Sequence, residues 1–489
     1  MTKTIKILFC YIISVWLTLP ADSQTVISLN EVKETGLHVI EITTDGNEKL
    51  PVIRMTGDFD YNYQEGTFSL TMPNGETTET LAAKVKWRGG STNIEGKHKR
   101  NYKIKFSSNQ QLMNMRKDNN WILDAGQADL FRLRNRIATE LWNDIATKPY
   151  YNSQETDVLT GVRGQVVELY LNDEYRGIYC LTECMDRKQL KLKKFDTANG
   201  EIHGELWKSK SYGSALMWDC PTYYDNKSET WDVFEVKYPD MDDLPETDWS
   251  ILYNAINFVA NSSDEEFVGH VAEYFDIPVI IDYYIFLKTL SAFDNVGKNM
   301  FWAVYDKQND KKLTLAVWDL DATVGAKWLG DWSHPEYDRN VNLKLIKRLQ
   351  ELDVDHFNQK ATDRYYALRD TYLSTNHLIN RYQHYYELLK KSGAARREEA
   401  KWSEDSDVNG EVINFDSEIE YITNWITIHM PYLDKKVFPK NPAAIYNINT
   451  TSTPQDQRIF NLAGQMIGIQ ESLKQGIYIR NGKKFVVKR

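Results

Sequence analysis

The sequence Asp294-Asn-Val-Gly-Lys-Asn299, followed by Trp318-Asp-Leu-Asp321, is the most informative part of the chain. In the first segment, a carboxylate precedes an amide by five residues. In the second, two carboxylates follow the apolar strand pattern Leu313-Thr-Leu-Ala-Val-Trp318. A base for an attacking hydroxyl, an amide that holds a metal ion and an acid at a strand end are the parts of a phosphoryl-transfer site. Together the segments predict this chemistry, with Asp294 as base and Asn299 and Asp319 as metal ligands.

Both segments have other interpretations. Asp, Asn and Gly are typical of a turn that ends a helix, so Asp294-Asn-Val-Gly could be only that. The Asp319-x-Asp321 pattern is also found in the metal site of glycosyltransferases that use nucleotide sugars, and in ordinary strand-end turns. If the segment is extended, the two carboxylates point the same way and repel each other unless a cation lies between them. Asp321 is therefore a third candidate metal ligand.

A Gly turn and a basic strand precede these motifs. The turn Arg88-Gly-Gly-Ser-Thr92 is followed by the Lys-rich stretch 97–106. Such a turn can cradle phosphates, and a lysine of the strand can reach them. The alternative is a hairpin with a solvated basic edge. The candidates for contact with a nucleotide, including an acid that could pair with the lysine, are Arg88, Lys99, Lys105 and Glu183, with Glu140 as an alternative acid.

The composition is that of a soluble globular protein of several domains. The chain has 489 residues, of which 42% are hydrophobic, and a net charge of −10. The length allows roughly two to four domains. The negative charge argues against nucleic acid as a general partner. The 14 Trp and 29 Tyr residues are suited to a core or to platforms for sugars, and composition does not distinguish these uses.

The N-terminus has the pattern of a secretory signal peptide, residues 1–23. Lys3 and Lys6 precede the apolar run Ile7–Leu19, and Ala21-Asp-Ser23 is a small-x-small cleavage site. The run is short for a membrane span, although an uncleaved anchor is the alternative. We therefore expect an extracytoplasmic protein, in the periplasm, on the cell surface or secreted, without stable membrane insertion after cleavage.

Cleavage would leave Cys180, Cys184 and Cys220. Three cysteines form at most one internal disulfide, and without a nearby pair of histidines they make a poor zinc site. The sequence thus predicts that an ordinary apolar core stabilises the fold.

The pattern of apolar residues predicts an α+β fold with two lobes. Residues 24–246 alternate apolar and polar positions in several stretches, and they include a helix from Asp129 to about Ala146. Residues 247–438 are mostly helical, and their run Ala394–Ala400 is typical of a solvated helix face. A polar linker, 439–454, then leads to a small β module, 455–489.

These segments together resemble the spore-coat-protein-H (CotH) family of secreted, atypical protein kinases. The resemblance covers about residues 36–435, and the last two segments are its most specific part. The matching segments are Leu50-Pro51, Arg88-Gly-Gly-Ser-Thr92 with Lys99-Arg-Asn-Tyr102, Leu133-Arg-Asn-Arg-Ile137, Gly177-Ile-Tyr-Cys-Leu-Thr-Glu183, Phe234-Glu-Val-Lys-Tyr-Pro239, Asp294–Trp302 and Trp318–Gly325.

The resemblance implies a distant kinase-like fold, ATP with Mg²⁺ or Mn²⁺ as cofactors, and transfer of phosphate to Ser of a protein substrate. It gives Asp294 as the base, Asp319 as a metal ligand and Asn299 as a second ligand. The segment after Arg88 departs from the longer Arg-Gly-x-Gly-Asn-Ser pattern of the family, so it does not assign the phosphate loop. The tail resembles the C-terminal sorting module of secreted Bacteroidetes proteins. The sequence leaves three hypotheses: a bacterial kinase, a catalytically inactive surface-assembly protein and a metal-dependent glycosyltransferase.

Overall fold

A computed structural model describes most of the chain as two compact units, residues 1–440 and residues 441–489. The predicted signal peptide, Leu50-Pro51 and most of the predicted linker lie outside the described residues. The described residues are 27–34, 36–45, 63–90, 97–241, 244–337, 340–406 and 408–440, with four short strands between 459 and 487.

The first part of the chain forms a closed barrel of seven strands. After a short helix, α1 (Leu29–Lys33), the barrel has the order β1-β2-β3-β4-β5-β7-β6, and it closes through a parallel pairing of β1 with β6. Alternate side chains, among them Phe68, Trp121 and Tyr179, fill its interior. The strands are β1 (His38–Thr44), β2 (Gln64–Thr71), β3 (Leu81–Arg88), β4 (Asn101–Gln111), β5 (Lys117–Asp124), β6 (Gly164–Leu171) and β7 (Glu174–Thr182).

A helix between β5 and β6 begins later than its sequence pattern predicts. Helix α2 spans Arg134–Ile145, so Leu130 and Leu133 precede it. The Asp129 carboxylate accepts hydrogen bonds from the backbone N–H groups of Phe131 and Arg134, at 2.8 and 2.7 Å. This carboxylate holds residues 129–133 in turns, which delays the helix.

A second sheet of five strands joins segments on both sides of residue 246, where the sequence predicts a boundary between lobes. Its order is β12-β11-β8-β10-β9. Because β11 pairs with β8 in antiparallel register, this sheet spans the predicted boundary. The strands are β8 (Glu205–Ser209), β9 (Thr230–Trp231), β10 (Phe234–Tyr238), β11 (Met300–Val304) and β12 (Thr314–Val317).

The rest of this unit is mainly helical, which confirms a mixed α+β architecture with a β-rich first part. The apolar helix α5 is almost entirely buried, as its sequence predicts. Helix α9 differs from the prediction of a solvated face, because Arg397 and Glu398 are buried. The helices are α3 (Ser250–Asn261), α4 (Asp264–Tyr274), α5 (Ile277–Leu290), α6 (Lys344–Glu351), α7 (Phe357–Arg369), α8 (Thr375–Lys391), α9 (Ala394–Lys401) and α10 (Phe415–Lys436).

The C-terminal unit contains a four-stranded antiparallel sheet in the order β14-β13-β15-β16. Its strands are β13 (Ile459–Asn461), β14 (Met466–Gly468), β15 (Gly476–Arg480) and β16 (Lys483–Val487). Strands β15 and β16 pair in antiparallel register from Arg480 and Lys483, and the hairpin turn that the sequence predicts at Asn481-Gly482 lies outside the described residues. Within the described parts of both units, we find no helix with the length and apolar character needed to cross a membrane.

Candidate functional site

The predicted acidic motifs lie on one cavity of about 730 Å³ in the first unit. The ends of β3, β5, β8 and β12 contribute to its walls, together with the loop that follows α5. Anionic and cationic side chains both line it, as in sites that bind a phosphate ester with a metal ion. The charged lining residues are Asp124, Asp294, Asp319, Asp321, Arg88, Lys97, Arg136, Lys208, Lys210 and Lys298.

Asp294 and Asn299 are in direct contact. The Asn299 amide nitrogen donates a hydrogen bond of 2.7 Å to Oδ2 of Asp294. Lys298 and Tyr212 donate to Oδ1 of the same carboxylate, at 2.8 and 2.9 Å. This arrangement fixes the orientation of the Asp294 carboxylate, and it leaves the amide oxygen of Asn299 as the atom that could bind a cation.

Asp319 and Asp321 follow β12 but do not continue it. Asp319 has a φ of 57°, so this segment is not the extended strand end that would point both side chains the same way. The Asp319 side chain is exposed to the solvent of the cavity. Desolvation by the surrounding protein and the charge of Asp124 nevertheless raise its pKa. Burial and the charge of Asp319 raise the pKa of Asp321 well above its usual range. Neither carboxylate forms a hydrogen bond or ion pair with another described residue, and such carboxylates are suited to a cation.

Two asparagines connect these segments. The Asn295 amide donates to the carbonyl oxygen of Trp318 at 2.7 Å and to that of Asn299 at 3.3 Å. The Asn135 amide donates to Asp124 at 2.6 Å, and its oxygen accepts from the Leu320 N–H at 3.0 Å. Asp124 and Asn135 are site residues to which sequence reasoning gave no role: Asp124 ends a strand without a distinctive motif, and Asn135 lies in the matching segment Leu133–Ile137, which by itself indicates no chemistry.

Two cations of the cavity lie close to the indole ring of Trp318. The Arg88 guanidinium carbon and the Lys208 Nζ are 5.5 and 5.8 Å from its ring centre. Burial, together with the charge of Arg88, lowers the pKa of Lys208 to about 8. Sequence reasoning missed Lys208, and its only signal is the pair Lys208-Ser-Lys210 at the end of β8, where both side chains line the cavity.

Three other candidates are not in the lining of the cavity. Lys99 is fully buried and forms an ion pair with Glu398 of α9 at 2.8 Å. Glu183 is also fully buried; it accepts from the Arg116 N–H at 2.7 Å and pairs with Arg163 at 2.9 Å. Lys105 is exposed on β4. Because Glu398 satisfies Lys99, and Arg163 satisfies Glu183, these two side chains have structural partners.

The donors of the cavity are compatible with a magnesium-type ion. Within the described residues, no group of three or more His, Cys, Asp or Glu side chains is close enough to hold a metal. Mg²⁺ commonly uses only one or two carboxylates, with phosphate and water as the other ligands. Asp319 and Asp321 fit that pattern, since the charge of Asp319 raises the pKa of Asp321 and the two carboxylates are therefore close together.

Cysteine chemistry does not explain the cavity. Cys180, Cys184 and Cys220 are all free thiols. Cys180 is part of the lining, but burial raises its pKa to about 12. A thiol with this pKa is protonated at neutral pH and is a poor nucleophile.

One comparison with known proteins identifies a family. A search of curated proteins found no match. The family model described as CotH kinase protein matches residues 85–433. The match includes both acidic motifs, Arg88 and Lys208, and therefore the principal charged walls of the cavity. Because the match covers most of the chain as well as this site, the chain belongs to the CotH kinase family, which indicates a kinase-like function.

Proposed function

We propose that this chain is an exported atypical protein kinase that transfers the γ-phosphoryl group of ATP to Ser of a protein substrate. The transfer in this proposal requires Mg²⁺ or Mn²⁺. The observation that carries it is a single cavity in which the Asp294–Asn299 pair and the Asp319/Asp321 pair are accompanied by Arg88 and Lys208. Phosphoryl transfer needs little beyond positioning and charge stabilisation, and this set of groups supplies both.

Asp294 is the base in this proposal. The Ser oxygen forms a bond to the γ-phosphorus while the bond from that phosphorus to the bridging oxygen breaks, so that ADP leaves with the electron pair. The Ser proton passes to Asp294, which Lys298 and Asn299 hold in place. Asp319, Asp321 and Asn299 would hold the divalent ion, which when bound offsets phosphate charge.

Arg88 and Lys208 take the phosphate-binding role that the sequence pattern assigns to Lys99 or Lys105. Both lie on the cavity, and both lower the pKa of Asp319, so they are close to the proposed metal site. A planar guanidinium and a point-charge ammonium near the same indole suit the oxygens of a polyphosphate.

The test is incubation of the purified mature chain with γ-labelled ATP and Mn²⁺, beside Asp294→Asn and Asp319→Asn. Loss of a general base lowers rates by about 10²–10⁴-fold, so we expect label on the wild type and almost none on either variant. Asp363→Asn is the matched control, since Asp363 is exposed on α7 and its hydrogen bond from Gln359 survives the change.

Thermal shifts separate the other hypotheses, since a ligand specific for the native state raises stability. Retained transfer in Asp294→Asn would contradict the assignment of the base. Stabilisation by a nucleotide sugar and not by ATP would favour a glycosyltransferase, and no stabilisation by either would favour a binding protein.

A further inference from the structure

The hydroxyl of Tyr212 lies where an acceptor hydroxyl would have to bind. It donates a hydrogen bond of 2.9 Å to Oδ1 of Asp294, the carboxylate that takes the acceptor proton in the proposed function. Lys298 Nζ lies 5.4 Å from the centre of the Tyr212 ring. Tyr212 is 37% exposed, so this contact is at the mouth of the site, and an incoming substrate can displace it. In the proposed function, the acceptor therefore approaches Asp294 from the side on which Tyr212 lies.

The segment Tyr212–Trp218, here called the acceptor rim, is fixed against the loop that carries Asp294. A 3-10 helix covers Gly213–Leu216 of the rim. A Cβ atom added at Gly297 would be 2.7 Å from the carbonyl oxygen of Ala215, which is closer than real Cβ atoms approach. Gly297 also has a φ of 77°, so this position needs glycine for both reasons. The rim and the loop thus pack backbone against backbone, which fixes the position of the rim relative to Asp294.

The outer end of the acceptor rim is an aromatic surface with two cations. Trp218 is 44% exposed, and its indole N–H donates to the Asn342 carbonyl at 3.0 Å, which fixes the ring. Lys344 and Lys347 of α6 each have their Nζ 5.6 Å from the ring centre. Lys344 Nζ donates to the carbonyl oxygen of Ala260 at 2.7 Å, and among the described residues no carboxylate forms an ion pair with either lysine. In a chain with a net charge of −10, a fixed aromatic ring with two such cations favours an acidic partner.

The length of the rim sets the number of residues between the two side chains of a peptide that would bind at both Tyr212 and Trp218. Six residue steps separate Tyr212 from Trp218. Their span is about 12 Å at the 3-10 rise of ~2 Å per residue, and about 20 Å if extended. An extended peptide covers these distances in about four to six residues.

We propose that the acceptor rim binds a substrate peptide whose Ser replaces the Tyr212 hydroxyl at Asp294, and whose acidic residue, about four to six positions from that Ser, binds at Trp218, Lys344 and Lys347. This inference rests on the proposed kinase function for the placement of the Ser. The binding of the acidic residue is independent of catalysis and can be measured separately.

The experiment uses the full mature chain and a set of synthetic Ser peptides. They carry Glu, Gln or Lys at position four, five or six on either side of the Ser. We expect kcat/KM to be about threefold to tenfold higher for the best Glu peptide than for its Gln counterpart, the range expected for a partly exposed charge pair beside an aromatic ring. Lys347→Glu should remove this preference and favour the Lys peptide, with unchanged ATP affinity.

Lys436→Glu is the matched control, since it makes the same charge change at an exposed position near the end of α10. If the control loses the preference as Lys347→Glu does, the effect is one of overall charge and the inference fails. Equal kcat/KM for Glu, Gln and Lys peptides in an active wild type also overturns it and leaves the kinase proposal intact.

Peptide binding is measured separately by fluorescence anisotropy, with Ala in place of Ser. Binding of the Glu peptide that Lys347→Glu weakens and Lys436→Glu does not supports the acceptor rim even if no phosphate is transferred. In that case the kinase proposal alone fails. Failure of the wild type to bind the Glu peptide better than the Gln peptide overturns the inference.

Tyr212→Phe tests the inner end, because it removes the competing hydroxyl and keeps the ring. We expect kcat/KM to rise about threefold or more for every peptide, with unchanged Glu-to-Gln ratios, since the peptide no longer displaces a hydrogen bond to a charged group. A decrease, or no change, would show that Tyr212 does not hold the acceptor position.

Discussion

Replacing Arg134 by Met should destabilise the protein by about 4 kcal/mol at pH 7. The Arg134 side chain is 1% exposed, and it pairs with Asp129 at 2.5 Å and with Glu418 of α10 at 2.6 Å. It also donates to the carbonyl oxygen of Val324, beyond the second acidic motif, at 3.4 Å. The substitution keeps much of the side-chain volume and removes the charge, so both carboxylates remain buried without their main partner.

The magnitude follows from these contacts. Removing one partner of a buried ion pair typically costs about 3–5 kcal/mol. Lys327 still pairs with Glu418 at 3.1 Å, whereas Asp129 keeps only its backbone donors, so a value near the middle of that range is expected. A unit that extends to Lys440 has an unfolding entropy of roughly 0.9 kcal/mol per kelvin, and the midpoint should therefore fall by about 4–5 °C.

The loss should depend on pH in a defined direction. Arg134 lowers the pKa of Glu418 below its usual value of 4.5, whereas burial raises the pKa of Asp129 despite the charge of Arg134. A depressed carboxyl pKa contributes stability that is present above pH 4.5 and is lost as the pH falls through the folded-state pKa. The difference between wild type and Arg134→Met should therefore be largest near pH 7 and should shrink below pH 4.5.

The assay is urea and thermal unfolding of both proteins at several pH values, with Arg396→Met as the control. Arg396 is 78% exposed and pairs with Glu31 at 3.4 Å, and such a surface pair contributes about 0–1 kcal/mol. If Arg134→Met lies within 1 kcal/mol of the wild type, or if its loss is the same at pH 4 and pH 7, the reasoning from buried charge is refuted.

Three further outcomes follow from the cavity. Lys208→Met should weaken ATP binding about tenfold or more, the cost of a charge-assisted contact, whereas Lys99→Met should leave the ATP affinity of the folded protein within about twofold. Isothermal titration measures both affinities. The reverse result would restore Lys99 as the phosphate contact. Because the pKa of Lys208 is lowered to about 8, the ammonium is charged below that pH and neutral above it. ATP affinity should then fall as the pH rises through 8 in the wild type, and a profile that stays the same in Lys208→Arg would exclude this residue as the cause. Asp321→Asn should raise the free energy of unfolding in EDTA by about 1 kcal/mol or more at pH 7. The substitution removes a carboxylate whose charged form is disfavoured, because burial and Asp319 raise its pKa. A lower free energy of unfolding in urea would argue against repulsion between the two carboxylates.

Local patterns in the sequence predict the elements of the fold better than their connections. Strand alternation and helical periodicity depend on neighbours two to four residues apart, so β6, β7, α3 and α5 are recognisable in the sequence. The closure of the barrel by β1 and β6 and the pairing of β8 with β11 join segments far apart in the chain. No local pattern specifies such pairings.

The burial of charged residues cannot be recognised from the sequence for a similar reason. The charged run of α9 is typical of a solvated face, yet Glu398 accepts from Lys99 and Arg132, and Arg397 pairs with Glu168 at 2.7 Å. Each partner is more than 200 positions away along the chain. A buried ion pair can be recognised only when both partners are known to meet.

The same limit applies to the site. The structure brings Asp294, Asn299, Asp319 and Asp321 to one cavity, as their motifs predict, and their chemical roles remain predictions. A lysine in a Gly-rich basic stretch cannot be assigned from sequence, since neighbouring strand positions face opposite ways. That alternation leaves Lys105 exposed on the outside of β4, while Lys208 of the second sheet faces the cavity.

The turn interpretation and the catalytic interpretation of Asp294-Asn-Val-Gly-Lys-Asn299 describe the same structure. The chain leaves α5 through Ser291, which has a φ of 52°, and turns again at Gly297. Within this turn, Asn295 is fully buried and donates to the carbonyl oxygens of Trp318 and Asn299. The turn-forming residues therefore hold the two acidic segments together. A carboxylate can act as a base only if its position is fixed, and the role proposed for Asp294 depends on this turn.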